Sequence, residues 1–473
     1  MKIQNIQLKS IGEERTLRYD FDYHYFYGIS SNEYYKFEEL FEIAKDDNVD
    51  FDNLFEEFQY CEIGNTDKNG EITPVTLDFS KRNLLDENYY KKIEKGDIIS
   101  ASKDDILIAK VRPNLKKYIR VTPDIESVYF TSAFLHLKAK AIPEIMYYCF
   151  RNLFYNNLMA ISRQGKGYPT LSETDIRELK FSKSIIDTLI NKKETLTNQI
   201  VCIESEISSL KHQTRTQQDI IDSCFGNEFG FDYDRFETLK AVKIFHSNNS
   251  DFSNNPDLRF SAKFHRGAGK FVMEQLNIVT DKKIKHYLSE PIVLGASISP
   301  DNYSDDGDGF YISMATIKSW SFNSEEANTI SDEYAEAKSE KTVRKNDIIL
   351  ARSGEGTIGK VALIDNDDIN GVFADFTMRI RLKNYNPEFA YYFFRTSYFQ
   401  YLVEVYKKGL GNNTNIFPVV IQEFPLIDIS LEEQQRIVDE IHSEIKKQDE
   451  INEKIVELRS EIDKIIEKAI VED

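Results

Sequence analysis

The longest regular pattern of apolar residues in the chain is a heptad seam that occurs twice. In the middle of the sequence, apolar residues alternate in steps of four and three from Leu196 onward, and residues 184–223 contain no proline or glycine. The same alternation returns from Ile451, with Glu444 and Gln448 interrupting it upstream. Such a seam is typical of coiled-coil helices, and each helix would have about 40 residues, or roughly 60 Å. The predicted seam residues are Leu189, Leu196, Ile200, Ile203, Ile207 and Leu210 in the first helix and Ile437, Ile441, Ile451, Ile455, Leu458 and Ile462 in the second.

These two helices could pack separately on their own domains or against each other. A single globule rarely needs a helix several times the mean length, which favours pairing. A chain that leaves one domain along the first helix must build the second domain and then return. We therefore predict an antiparallel coiled coil, a rod that holds two globular heads apart.

The chain is an internal repeat with a period near 240 residues, and each copy ends in one of these helices. The strand-like segment Asp105–Ala109 recurs 242 positions later as Asp347–Ala351. Residues 144–167 are identical to residues 388–411 at 8 of 24 positions, at a spacing of 244. A period of this length exceeds the 20–50 residues of a solenoid repeat, so each unit is a domain.

Each head is predicted to be of the α+β class. Alternating and continuous apolar runs indicate strands, and a helix then begins at Pro143 in the first head and at Pro387 in the second. A glycine-containing loop follows each of these helices. The predicted boundaries are 1–183 and 226–430 for the heads and 184–225 and 431–473 for the long helices.

Composition narrows the class of protein. The chain of 473 residues has 60 Lys and Arg against 79 Asp and Glu, a net charge of −19, which argues against a simple histone-like nucleic-acid binder. Its four cysteines form no CxxC pair, which disfavours disulfide scaffolds and zinc modules. No apolar run of 18 residues or signal-peptide core occurs, so we expect a soluble, cytoplasmic protein with no membrane partner.

Motifs for catalysis are weak. Gly354–Gly359 spells GxGxxG, but the strand pattern KVALID follows it, whereas a dinucleotide fingerprint needs a helix there. We interpret the motif as a turn between strands; a nucleotide-binding enzyme would be the alternative, and Gly356→Val would abolish its binding. The histidines are scattered without metal-ligand spacing. We therefore expect no catalytic residue, no metal and no cofactor.

Basic and amide side chains cluster in two loops of each repeat. The stretch from Lys110 to Arg120 contains five bases and no acid. Lys and Arg neutralise phosphates, while Asn and Arg pair with base edges. Matched loops in two repeats thus indicate duplex DNA, against the alternative of ordinary solvated loops. The predicted DNA contacts are Lys110, Arg112, Asn114, Lys116, Lys117, Arg120, Arg163, Lys166 and Tyr168 in the first head, and Arg352, Ser353, Thr357, Lys360, Lys407, Lys408, Asn412, Asn413 and Asn415 in the second. Among them, Arg112, Asn114 and Arg352 are predicted to make base or near-base contacts, with a role in the internal fold of the strand-turn-strand motif as the alternative.

Over essentially its whole length the chain resembles the specificity (S) subunits of type I restriction–modification enzymes. The resemblance rests on the two half-repeats, with GDIISASKDDILIAKVRPNLKK in the first and KNDIILARSGEGTIGKVALI in the second. It also rests on FPLIDISLEEQQRIVDEIHSEI, which leads into the last helix. The first copy, LKFSKSIIDTLINKKETL, lacks the Leu-Glu-Glu-Gln tetrad but keeps the hydrophobic phase.

This resemblance implies two target recognition domains, each of which reads one half of a split DNA sequence. It implies that the coiled coil sets the spacing and docks two DNA methyltransferase subunits, which bring S-adenosylmethionine and adenine-N6 chemistry. A separate restriction and translocase subunit would bring ATP, magnesium and cleavage. The chain itself would then be non-catalytic.

The main alternative is a coiled-coil scaffold with two globular heads that tethers other proteins. It would explain the net charge more directly, and a methyltransferase gene beside this one would argue against it. The acidity is uneven, however. Residues 31–59 hold ten acids and two bases, and residues 325–340 hold six acids and one base. We therefore expect the isolated chain to bind DNA poorly and partner subunits to supply positive field.

Overall fold

Two compact units make up the chain in the computed structural model, and the chain passes between them at residues 213–214 and 451–452. The structure describes residues 33–44, 57–78, 87–164, 167–253, 259, 261–354, 356–409 and 414–471. Unit 1 contains residues 1–213 and 452–473, and unit 2 contains residues 214–451. The C-terminal helix therefore contributes its last part to unit 1 and its first part to unit 2.

Unit 1 is built of short strands with small helices between them. In chain order its described elements are β1 (Tyr34–Lys36), α1 (Phe37–Leu40), β2 (Phe41–Ile43), β3 (Glu57–Cys61), β4 (Val75–Asp78), α2 (Glu87–Ile93), β5 (Ile99–Ser100), β6 (Ile106–Ala109), β7 (Tyr118–Arg120), β8 (Tyr129–Phe130), β9 (Phe134–Ala139), α3 (Pro143–Arg151), α4 (Tyr155–Ile161), β10 (Arg163–Gln164), β11 (Pro169–Thr170), α5 (Glu173–Ile176), β12 (Lys180–Ser182), α6 (Lys183–Asn191) and α7 (Lys193–His212). The strands pair as β2-β9-β6-β7, β4-β3-β8-β5, β1-β12 and β10-β11.

Unit 2 follows the same plan. Its elements are α8 (Gln217–Phe229), α9 (Tyr233–Ala241), α10 (Asn249–Ser253), α11 (Ala262–His265), α12 (Gly267–Val279), β13 (Val293–Leu294), β14 (Gly309–Ile312), β15 (Thr329–Ile330), α13 (Asp332–Ala337), β16 (Ile348–Ala351), β17 (Val361–Leu363), β18 (Gly371–Phe373), β19 (Thr377–Ile380), α14 (Pro387–Arg395), α15 (Ser397–Tyr406), α16 (Pro418–Ile421) and α17 (Leu431–Val471). The strands pair as β13-β19-β16-β17 and β15-β14-β18.

The registers of the sheets confirm the internal repeat and the α+β class. Strand β6 pairs antiparallel with β7 and β9, as β16 does with β17 and β19. In each unit the second sheet contains one parallel pair, β3 with β8 and β14 with β18. The central strands are buried on both faces, which explains their continuous apolar sequences.

One helix in each unit joins the head to the long helices. In unit 1, Tyr148 on α3 donates its hydroxyl hydrogen to Glu204 on α7, at 2.8 Å. In unit 2, the ring of Phe389 on α14 packs 5.3 Å from that of Phe225 on α8. The predicted packing helices each end early and resume as a second helix, α4 or α15, before the loop.

The long helices pair antiparallel within each unit. In unit 1, Lys192 donates to the carbonyl of Ala469 at 2.8 Å, while Lys211 and Arg459 both contact Glu71. In unit 2, the backbone nitrogen of Arg215 donates to Gln448 at 2.7 Å, and Glu228 pairs with Arg436. Ascending positions on one helix thus meet descending positions on the other. Ten predicted seam residues are buried and two are half-buried, namely Leu210 and Ile451.

The first long helix differs from the single helix that its sequence predicts. It ends at His212, and α8 begins after Thr216, whose hydroxyl caps the new helix by accepting from Asp219. A second, shorter interruption lies at Lys192, between α6 and α7. The second long helix, α17, is continuous over 41 residues. The predicted domain boundaries at 183, 225 and 430 stay a prediction.

Candidate nucleic-acid interface

Two loops that are distant in the sequence lie side by side in unit 1. The loop between β6 and β7 meets the β10–β11 hairpin, which follows α4. Val111 forms a β-bridge with Thr170, Arg112 donates from its backbone nitrogen to Pro169 at 2.9 Å, and Leu171 donates to Lys110 at 2.8 Å. The two basic loops predicted for the first head therefore form one surface.

The same two loops meet in unit 2. Ser353, which follows β16, forms a β-bridge with Asn415, and Asn415 also bridges to Lys408 across the loop after α15. The backbone nitrogen of Ile416 donates to Arg352 at 2.9 Å. The bond from Ile416 to Arg352 matches that from Leu171 to Lys110, and the bridge of Ser353 with Asn415 matches that of Val111 with Thr170, which aligns Lys110 with Arg352.

The glycine motif lies within this region and forms a turn. Strands β16 and β17 flank it, and the backbone nitrogens of Thr357 and Ile358 donate to Gly354. The interpretation as a turn between strands is confirmed, since no helix begins at Gly354, Gly356 or Gly359.

Unit 1 holds an exposed cation, Arg112, and a half-buried one, Lys116, over aromatic rings. The guanidinium of Arg112 lies 5.1 Å from the ring centroid of Tyr168, and the ammonium of Lys116 lies 4.4 Å from that of Tyr155. Arg112 and Lys116 both have positive φ angles, 52° and 53°, on either side of a tight turn at Pro113–Leu115. This backbone conformation is uncommon for residues other than glycine. The turn therefore sets the positions of both cationic side chains.

The charge on Lys116 is partly desolvated. Burial lowers the pKa of its ammonium, and the positive charge of Arg151 lowers it further. An anion bound beside Lys116 would offset both effects. A phosphate is therefore a suitable ligand for this end of the loop.

Four predicted contacts of unit 1 have partners inside the protein. Arg120 is mostly buried and pairs with Glu204 at 2.7 Å. The ammonium groups of Lys117 and Lys110 donate to backbone carbonyls, of Ile63 at 2.9 Å and of Ser132 at 2.8 Å. Arg163 pairs with Asp175 at 2.6 Å, although half of its side chain is exposed. These bonds give the four cations a role in holding the loops.

Unit 2 places Arg352 between two exposed rings. Its guanidinium carbon lies 5.9 Å from the centroid of Phe376 and 5.8 Å from that of Phe417. Its Nε donates to the carbonyl of Asp375 at 3.0 Å. Phe376 is 47% exposed and Phe417 is 40% exposed. Neither ring was among the predicted contacts, because isolated phenylalanines in an aromatic-rich sequence give no signal.

The remaining predicted contacts of unit 2 divide between internal and exposed positions. Ser353 and Thr357 bond to backbone carbonyls of Thr414 and Ser353, respectively. Lys360 donates to the carbonyl of Lys318 at 2.6 Å, and Lys407 pairs with Glu404 at 2.6 Å. The exposed positions are Lys408, in unit 2, and Asn114, in unit 1. Lys166, Asn412 and Asn413 lie outside the described residues.

Other kinds of site find no support in the described part of the chain. Its histidine, cysteine and acidic side chains form no group of three that could hold a metal ion. None of its helices is both long and apolar enough to cross a membrane.

Comparison with known families gives one match, which lies in the second repeat. Residues 292–458 match the model of the type I restriction modification DNA specificity domain. The match runs from the start of β13 into α17 and includes both loops of unit 2. Over these residues it confirms the resemblance noted from the sequence. No curated protein sequence matches the chain significantly.

Three solved structures have similar chains. One, from work on complex assembly and conformational transition of a type I R-M system, is 16% identical, with a TM-score of 0.45 over 92% of this chain and 97% of its own. The HsdS subunit from Thermoanaerobacter tengcongensis is 15% identical, with a TM-score of 0.37 over 92% and 96%. The type I restriction-modification S subunit from M. genitalium is 12% identical, with a TM-score of 0.40 over 93% and 97%.

Proposed function

We propose that the chain is the DNA-recognition subunit of a type I restriction–modification complex. Each unit reads one half of a bipartite duplex target through its paired loops. The observation that carries this proposal is the convergence of two basic loops at the same place in both repeats. The match of residues 292–458 to a DNA specificity domain supports it independently.

The DNA contacts divide into two kinds. Lys116 and Lys408 neutralise phosphates, together with Lys166 in the first loop pair. Arg112 and Arg352 reach base edges, with Asn114, Asn412, Asn413 and Asn415 as amide readers. The internally bonded cations, such as Arg120 and Lys117, position the loops and add to the local field.

The chain contributes recognition and leaves catalysis to its partners. The antiparallel helices dock two DNA methyltransferase subunits, which hold S-adenosylmethionine and methylate adenine at N6. A restriction and translocase subunit joins where the system cleaves DNA. The helices fix the distance between half-sites, as dimer geometry does in other DNA-binding proteins.

The net charge of −19 implies that recognition needs the assembled complex. Binding to DNA is dominated by phosphate neutralisation and falls steeply with salt. The isolated chain should therefore bind DNA weakly at physiological salt, and the complex with its methyltransferase should bind tightly.

The test is a binding titration with fluorescent duplexes selected from a randomised library. We expect the complex, and not the isolated chain, to select a sequence with two conserved halves and a fixed gap. A complex that selects no sequence would overturn the proposed function. Tight, specific binding by the isolated chain would show that the partner subunits are not needed to supply positive charge for DNA binding.

A further inference from the structure

Unit 2 carries two exposed aromatic rings at positions where unit 1 has small polar or aliphatic side chains. Phe376 precedes β19 and accepts a bond at its carbonyl from the backbone nitrogen of Arg352. Ala133 precedes β9 and accepts the matching bond from Lys110. The two loops therefore align Phe376 with Ala133.

The second ring aligns in the same way. Phe417 is the residue before α16, and Ser172 is the residue before α5, each a four-residue helix that follows the bridged loop. Ser172 caps its helix with its hydroxyl, whereas Phe417 makes no side-chain cap. Unit 1 thus forms the matching backbone bonds and helix without either ring.

Both rings instead surround one side chain. Arg352 is held at Nε by the carbonyl of Asp375, and the matching Lys110 is held by the carbonyl of Ser132. Of these two matched side chains, Arg352 is the one with a planar group, and the carbon of that group lies 5.9 Å and 5.8 Å from the centroids of the two rings. Among the described residues, no acceptor is recorded for its two terminal nitrogens, which are the pair that engages guanine O6 and N7.

We propose that Phe376 and Phe417 are positioning residues that hold Arg352 for a bidentate contact with a guanine in the half-site read by unit 2. The rings restrict the rotamers of the arginine before DNA arrives, so less conformational freedom is lost on binding. Their exposed edges then pack against the neighbouring bases. This inference rests on the proposed function and adds the base and the residues that specify it.

The two units differ in the residue at this matched position. Unit 1 has Lys110 at the matched position, a point charge that cannot form the planar fork. Its exposed arginine, Arg112, stands two residues further on and lies over one ring, that of Tyr168. The two halves of the target should therefore be read from different places on the same backbone.

The test compares base preference at each target position for variants of the full chain in complex with its methyltransferase. The double variant Phe376→Ala, Phe417→Ser gives unit 2 the residues of unit 1. We expect wild type to prefer guanine at one position of one half-site. Arg352→Lys should lower that preference about tenfold or more, and the double variant should lower it several-fold at the same position.

Three controls separate positioning from loss of structure. The single variant Phe417→Tyr keeps a ring, so it should retain most of the wild-type preference for guanine. Tyr168→Ala should change only the other half-site. Thermal unfolding followed by the fluorescence of Trp320, the one tryptophan, should match wild type for the double variant.

Two outcomes would count against different parts of the account. A wild-type complex that selects a bipartite sequence, with a double variant of unchanged preference, would overturn the clamp and leave the proposed function standing. A wild-type complex that selects no sequence would overturn the proposed function itself.

Discussion

The two units share a framework and differ in the polar groups they set into it. A buried aspartate begins the central strand segment in each, Asp105 in unit 1 and Asp347 in unit 2, and each accepts from the backbone nitrogen three residues earlier. Asp105 pairs with His136 at 2.6 Å, whereas Asp347 pairs with Arg381 at 2.6 Å. The repeat has kept backbone and core while its charged partners have diverged.

This divergence matters for recognition because the loops grow from the same strands. Where buried ion pairs can change without changing the fold, exposed loop residues are freer still. A repeated framework can therefore carry two different reading surfaces. Substitutions at matched positions show how far the two units behave alike.

The largest difference should follow removal of the buried aspartates. Asp347→Ala breaks the buried ion pair with Arg381 and leaves Glu290 as the remaining carboxylate partner of that guanidinium; breaking a buried pair costs about 3–5 kcal/mol. Asp105→Ala removes the hydrogen-bond partner of the His136 ring and of the Ser102 backbone nitrogen, so a loss of about 1–3 kcal/mol is expected. Denaturant unfolding, followed by Trp320 fluorescence for unit 2 and circular dichroism for the whole chain, measures both. Equal losses would contradict the comparison.

The interruption of the first long helix should depend on one glutamine of the second. Gln448 is buried in the seam and accepts from the backbone nitrogen of Arg215 at the break before α8. Gln448→Leu completes the heptad pattern but leaves that nitrogen without its acceptor, so we expect a loss of about 1–3 kcal/mol. Gln448→Glu, which keeps an acceptor oxygen, is the matched control. A higher melting temperature for Gln448→Leu would show that the apolar contact in the seam stabilises the chain more than the hydrogen bond to Arg215 does.

Charge reversal in the loops should weaken DNA binding through each unit separately. Lys116→Glu and Lys408→Glu should each weaken binding by the complex and reduce the slope of log K against log salt by about one. Matched controls are Lys103→Glu and Lys345→Glu, which reverse exposed charges at the opposite ends of β6 and β16. Unchanged affinity and slope in both loop variants would remove these residues from the interface.

The smallest expected effect concerns a glutamate near the end of each head. Glu423 lies between Lys283 and Lys285, and hydrogen bonds from their ammonium groups lower its pKa to about 2. The matched Glu178 in unit 1 is buried. Because the pKa of Glu423 is lower in the folded state, its contribution is present above pH 4.5 and is lost as the pH falls towards 2.

Glu423→Gln should therefore lower the melting temperature slightly at pH 6, and this gap should close by pH 2. The effect is small because exposed pairs are screened by solvent. A difference in melting temperature that grows as the pH falls would contradict a stabilising contribution from ionised Glu423.

Sequence patterns predicted the architecture because it depends on residues that are regular along the chain. The heptad seam and the 242-residue spacing of Asp105 and Asp347 both survive as features of the structure. The break at Thr216 was not predictable, because the acceptor that supports it, Gln448, lies more than 200 residues away and looks like a flaw in the seam.

The interface was predicted less completely than the fold, for a similar reason. A basic residue in a loop is a candidate contact, but its partner decides whether it faces solvent. Arg120 pairs with Glu204, 84 residues later, and no local sequence pattern predicts that pair. Phe376 and Phe417 become notable only when the two repeats are aligned through their hydrogen bonds.

The central claim is that each unit reads its own half of one target. The direct measurement is a genome-wide profile of adenine methylation in cells that carry the methyltransferase with wild-type chain, Arg112→Ala or Arg352→Ala. We predict a bipartite motif for wild type, a degenerate position in one half for Arg112→Ala and in the other half for Arg352→Ala, and an unchanged gap in all three. Two variants that relax the same half, or a wild-type profile without a bipartite motif, would contradict the account.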